Sequence, residues 1–161
     1  MNFPKPNTMS EQALNGSNFN LIPFGDGGYL LRLKKFGFHK GYKGGTKYVA
    51  DCEVLESSRD DVKVGSTYNL LFGVGGTGDK QSIEDQKLRA FICGICNEDV
   101  KDKTFDSDQQ VVDLATLFHN AKTQEETDKI AAAVRQVRMN NRNRTRDGKS
   151  DVTATAFTTA A

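Results

Sequence analysis

Gly28-Tyr-Leu-Leu-Arg-Leu-Lys-Lys-Phe-Gly-Phe-His-Lys-Gly-Tyr-Lys-Gly-Gly-Thr-Lys-Tyr48 reads as a long strand, a tight glycine turn and the start of a returning strand. It holds six Lys/Arg, and no acidic residue occurs between Tyr29 and Ala50. Alternate side chains of a strand share a face. Leu31 and Leu33 are therefore expected on one side, and Leu30, Arg32, Lys34, Phe36, Phe38 and Lys40 on the other. A face that mixes charge with flat rings suits single-stranded nucleic acid.

Upstream, Pro23 and Gly25-Asp26-Gly27-Gly28 punctuate the chain, and residues 1–22 are Asn-rich and aperiodic, as a flexible arm is. Downstream, the spacing predicts a strand over 29–39 with a bulge at Gly37, a turn at Gly41 to Gly45, and a second strand over 47–56. Tyr48, Ala50, Cys52 and Val54 point inward on that second strand. A third strand over 66–72 carries Tyr68, Leu70 and Phe72 on one face. Ser82 with Asp85 three positions on marks a helix start. Leu88, Phe91, Ile92 and Ile95 then recur with helical period over 83–96. Residues 111–121 and 125–133 are further helical candidates. From Val134 or Val137 to Arg146 the chain returns to period two, Asp147-Gly148 is a strong hairpin turn, and 151–159 is the partner strand.

The order β-β-β-α-β-β is that of a mainly β, OB-fold-like five-stranded Greek-key barrel. It forms one domain over 23–161, with 97–133 a helical and loop insertion before the last hairpin. The first and last hairpins are expected on one side of that barrel, embracing a ligand.

Net charge is +1, yet the charge is polarised. Residues 134–149 hold six bases against Asp147, whereas residues 51–128 hold 8 bases against 17 acids, a net of −9. Three cysteines and no secretory signal or long apolar run point to a soluble cytoplasmic protein with free thiols.

On the first hairpin, Arg32, Lys34, Lys40, Lys43 and Lys47 are candidates to neutralise phosphates, and Phe36, Phe38 or Tyr42 to stack on bases. The alternative is a solvated outer strand with Phe36 and Phe38 packed under a neighbouring element. On the last hairpin, Arg138, Arg142, Arg144, Arg146 and Lys149 share a ladder that repels itself unless an anion sits there. Asn140, Asn141 and Asn143 between them can hydrogen-bond bases or sugars. The alternative here is an edge strand guarded by charge.

Gly73-x-Gly75-Gly76-x-Gly78 matches a dinucleotide-binding spacing, but the strands before it are hairpin-connected and the helix is expected only near Ser82. Cys93-Gly-Ile-Cys96 lies at a helix end without a second pair of ligands, so buried thiols are expected rather than zinc or a redox pair. His39 and His119 are isolated, and the clustered carboxylates Glu84-Asp85, Glu98-Asp99 and Asp106/Asp108 lie in loops or on a solvated helix face; Asp51 and Glu53, on an outer strand face, are a weak alternative as metal ligands. No active site, metal or cofactor is expected.

Through Tyr29-Leu-Leu-Arg-Leu-Lys-Lys35, Tyr48-Val-Ala-Asp-Cys-Glu-Val-Leu-Glu-Ser57 and Val64-Gly-Ser66, the chain resembles bacteriophage-type single-stranded-DNA-binding proteins with an OB-fold, over roughly residues 25 to 96. The resemblance implies sequence-independent binding and protection of single-stranded DNA during phage replication or recombination. It departs from replication-type relatives in ending Thr-Ala-Phe157-Thr-Thr-Ala-Ala161, without an acidic tail. RNA as ligand, a homo-oligomer, and a phage structural or assembly role without nucleic acid stay open.

Overall fold

The computed structural model describes residues 10–14, 19–41, 46–98, 104–146 and 149–160. The turn at 42–45, with Tyr42 and Lys43, and the Asp147-Gly148 turn lie outside the described residues. Six strands and three helices follow one another. They are β1 Ser10–Leu14, β2 Gly27–Gly41, β3 Thr46–Ser57, β4 Thr67–Val74, α1 Gly78–Cys96, α2 Ser107–Asn120, α3 Gln124–Ala132, β5 Val137–Arg146 and β6 Lys149–Thr159.

Five of the strands make one antiparallel sheet in the order β4-β3-β2-β5-β6. Three hairpin-connected strands, with the next one returning beside the first, have the spatial order of a Greek key. All three helices fill the long connection from β4 to β5. Within the expected arm, β1 adds a short parallel pairing at the far end of β2, with Ser10 opposite His39.

The sheet does not close into the expected barrel, because β4 and β6 end the strand order without pairing to each other. Packing joins them instead. Phe91 of α1 lies 5.5 Å from Phe72 on β4, 5.4 Å from Phe157 on β6 and 6.4 Å from Phe36 on β2, centroid to centroid. Leu88, Ile92 and Ile95 are buried on the same helical stripe, as their period requires.

Helix α1 starts a turn before Ser82, at Gly78. The Gln81 side chain secures that extra turn: its Oε1 accepts from Gly76 N at 3.0 Å, and its Nε2 donates to Gly73 O at 2.8 Å. At the other end, a Cβ on Gly94 would come 2.8 Å from Val137 Cγ2. Thr159 Oγ1 donates to the Gly94 carbonyl at 2.6 Å. The glycine of Cys93-Gly-Ile-Cys96 is thus where α1 touches the β5–β6 hairpin. Asp106 and Thr123 cap α2 and α3 through their side chains, and Arg89 ties α1 to α2 through Asp108 at 3.0 Å.

Strand β2 carries the main departure from simple alternation. Leu33 faces Cys52 and Lys35 faces Asp51, so Lys34 is an extra residue in the ladder. This bulge lies at Lys34 rather than at Gly37, and it reverses the facing of everything after it. Phe36 and Phe38, expected on the outward face, are therefore core residues, 0% and 3% exposed. Phe36 stacks on Tyr48 at 5.4 Å, and Phe38 tilts against the same ring at 4.9 Å. The physical reason is simple: two adjacent lysines cannot alternate without burying one, and a bulge leaves both in water.

Truncating either buried ring of this cluster, by Phe91→Ala or Phe36→Ala, is expected to cost about 3–5 kcal/mol. Denaturant unfolding followed by circular dichroism measures it.

Candidate nucleic-acid interface

The pairing of β2 with β5 decides which charges share a surface. Leu30 faces Arg138, Tyr29 faces Met139, Gly28 faces Asn140 and Gly27 faces Asn141. Tyr29, Met139 and Phe157 point into the core. The opposite, outer face therefore carries Arg32, Lys34 and Lys35 on β2, with Arg138, Asn140 and Arg142 on β5. The basic runs of the two hairpins thus adjoin.

Their turns do not lie on one side, as expected of two jaws. Strand β5 is antiparallel to β2 and opposes only Gly27–Leu31, so the β5–β6 hairpin projects past Gly27. The β2–β3 hairpin projects the other way, past Leu31 to Gly41. What the hairpins share is the outer sheet face between their tips.

Carboxylates from β3 temper that face. Glu53 accepts from Arg32 Nη2 at 2.6 Å and stands 4.0 Å from Lys34 Nζ, and Glu56 stands 3.4 Å from Arg138 Nη2. Among the described residues, Lys35 and Arg142 are exposed cations outside every ion pair. Lys47 lies on β3 with its Nζ 5.9 Å from the Phe19 ring centroid. For Lys40, Arg144, Arg146 and Lys149 the backbone is placed in β2 and the last hairpin, and their side chains lie outside the described part. Asn141, grouped in sequence with the polar ladder, turns inward and accepts from Thr155 Oγ1 at 2.8 Å.

Beside Arg142 the structure forms a polar groove of about 480 Å³, lined by Asp26, Ser58, Arg59, Asn140, Arg142 and Asn143 among others, with Gly27 and Gly28 as its floor. A Cβ at Gly28 would stand 3.1 Å from Asn140 Oδ1 and fill that floor. Ser58 seals one wall: its Oγ accepts from Gly28 N at 2.8 Å and its own N–H donates to Gly28 O at 2.9 Å. Arg59 is held by Asp61 through two hydrogen bonds, at 2.8 and 2.6 Å. Asp26 Oδ1 accepts from Asn143 N at 2.7 Å. Exposed amides and guanidinium groups over a bare strand can take phosphate and sugar oxygens. Arg59 and Ser58 belong to a loop that reads as merely polar, and only hydrogen bonds spanning about 30 residues of sequence bring it here.

The other motifs resolve into packing. In the glycine loop, the Gly76 and Gly73 amides are taken by Gln81 and Glu84, and α1 leads to α2 rather than to a parallel strand. Burial, with Cys93 and Glu98 adding to it, pushes the Cys96 thiol up to about 11, the reverse of an activated thiol. Among the described residues, no three His, Cys, Asp or Glu gather as a metal site. No helix there is long and apolar enough to cross a membrane. No protein-family model matches the chain, and no curated protein shows significant sequence similarity to it.

His39, half-buried near the outer end of β2, leaves Nδ1 without a hydrogen-bond partner. Burial lowers its pKa below the ordinary 6.5; Asp51 opposes the shift and Lys35 adds to it. Lys47, its cross-strand neighbour, is a further cation on that side. The unfolded chain then holds this proton more tightly than the folded one, so the contribution is present above pH 6.5 and is lost as pH falls through the lowered value. His39→Gln is expected to flatten the fall of stability as pH drops below 6.5, measured by denaturant midpoints.

Proposed function

We propose that this protein binds single-stranded DNA without base specificity, on the outer face of β2 and β5, and so protects displaced strands in phage replication or recombination. The observation that carries the reading is the β2–β5 register, which sets Leu30 opposite Arg138 and Gly28 opposite Asn140, so that the basic residues of β2 from Arg32 onward and those of β5, out to Arg142 beyond the glycine floor, follow one another along one outer face. An OB-fold assignment is supported by the Greek-key order and by the helical connection before the last hairpin, the sheet being an opened form of that barrel.

The chemistry is phosphate neutralisation. Exposed ion pairs are worth only ~0–1 kcal/mol, so Arg32 and Arg138 can exchange Glu53 and Glu56 for a phosphate at little cost. Lys35 and Arg142 need no exchange. Asn140 and Asn143 add hydrogen bonds that no base sequence is required to satisfy. Phe36 and Phe38, buried as they are, have no part in stacking.

Anisotropy with labelled oligothymidine across a salt series tests the reading. Affinity is expected to fall steeply with salt, and Arg142→Ala to lower the log–log slope by ~0.7 for each phosphate that Arg142 neutralises. Undetectable binding at low salt overturns it, and competition with oligouridine separates DNA from RNA preference. A second expectation has the opposite sign: Glu53→Gln and Glu56→Gln release Arg32 and Arg138 and should tighten binding in the same assay.

One feature favours an assembly role instead: among the described residues no further strand pairs with β4 or β6 at the ends of the sheet, and Leu21, 51% exposed, stands beside the seam between them. A discrete oligomer on size exclusion that is indifferent to oligothymidine would select that reading.

A further inference from the structure

With Phe36 and Phe38 in the core, the basic face lacks the rings expected on it, and the structure offers one from elsewhere. Phe24 is 84% exposed, more than any other described large hydrophobic residue. A single exposed apolar side chain is ordinary on a protein surface. This one stands on a held backbone. Its carbonyl accepts from Arg59 Nη1 at 2.7 Å, and Arg59 is itself clamped by Asp61.

The chain on either side is held too. Asn20 exchanges hydrogen bonds with the edge of β4, its N–H donating to Asn69 Oδ1 and its carbonyl accepting from Asn69 N, both at 2.8 Å. After Phe24, Gly25 has φ 116°, a backbone conformation only glycine reaches at low cost. Asp26 then anchors to Asn143 N at 2.7 Å.

Position adds to this. Residues 21–24 cross the seam between β4 and β6 over an apolar cavity of about 260 Å³, also walled by Leu70, Phe72, Met139 and Phe157. The polar groove begins two residues later, at Asp26. A Cβ on Gly25 would lie 2.9 Å from Arg59 Nη1 and 3.9 Å from Asn143 Nδ2, so the chain next to Phe24 runs against the groove wall. An exposed ring on a held backbone that passes from an apolar seam to a groove of arginine and asparagine offers the two halves of a nucleotide subsite. The ring meets a base, and the groove meets the sugar and phosphate.

We infer that Phe24 is the base-stacking platform of the nucleic-acid surface, with Arg142, Asn140 and Asn143 holding the adjoining backbone of a single strand. This rests on the proposed binding of single strands and assigns the base subsite within it. Stacking carries no charge, whereas phosphate neutralisation does, so the two parts are separable by salt.

The chain contains no tryptophan, which makes Phe24→Trp a clean reporter. Its fluorescence is expected to be quenched on titration with oligothymidine, with affinity kept. Phe24→Ala is expected to weaken binding ~5- to 150-fold, the loss of one stacked base, with the salt slope unchanged and the circular dichroism spectrum retained. Wild-type protein that binds oligothymidine, while Phe24→Ala binds as tightly and Phe24→Trp is not quenched, overturns the inference and leaves single-strand binding standing. Wild-type protein that fails to bind at low salt overturns both. Conversion of an oligomer to a monomer by Phe24→Ala, with oligothymidine affinity kept, assigns the ring to a contact between copies and also overturns it.

Discussion

Phe91 holds together two strand edges that share no hydrogen bonds. Strands β4 and β6 end the sheet, and the contact between them is aromatic, with Phe91 against both Phe72 and Phe157 and those two rings 6.2 Å apart. A closed barrel satisfies its edges by a ladder. Here a helix plugs the opening from inside, and residues 20–24 cross it from outside. Much else follows from that seam. Because α1 must reach both edges, it needs Gly94 to approach the last hairpin. The chain that crosses outside leaves Phe24 standing beside the groove.

The same core explains why the outer face is polar and available. After the bulge the two rings of β2, Phe36 and Phe38, go inward to meet Phe91 and Tyr48, and Lys34 and Lys35 turn out together. Gly27 and Gly28 bring no side chain to the face where β2 meets β5. The face is thus a bare strand flanked by arginine, lysine and asparagine, with Glu53 and Glu56 moderating its charge. That balance keeps the face quiet in the absence of an anion and leaves Lys35 and Arg142 as its unpaired cations among the described residues.

Much of this was legible along the chain. Period two placed Tyr48, Ala50, Cys52 and Val54 inward, and period 3.6 placed Leu88, Phe91, Ile92 and Ile95 on one stripe; all are buried. The bulge was legible as well, since Leu31, Leu33, Phe36 and Phe38 are spaced two, three and two. The step of three falls on Lys34-Lys35. Reading Gly37 as the irregular point, because glycine is permissive, missed that two adjacent lysines are the stronger reason for a bulge. The groove was less accessible. Arg59 and Ser58 carry no periodic signal, and what makes them functional candidates is a carbonyl at Phe24 and an amide at Gly28.

The sequence by itself determined the elements from β2 onward, most of their inward faces and the concentration of base in two hairpins, because these depend on local period and on which side chains tolerate burial; β1, in a stretch without period, was not among them. Tertiary structure alone decided how those hairpins combine. Strand register set Leu30 against Arg138 and sent the two turns to opposite ends of β2, and register is a property of the paired strands, not of either one. It also decided that the sheet stays open and that the exposed ring is Phe24 rather than Phe36 or Phe38. A ring's exposure depends on what packs over it, and that is settled only when distant segments meet.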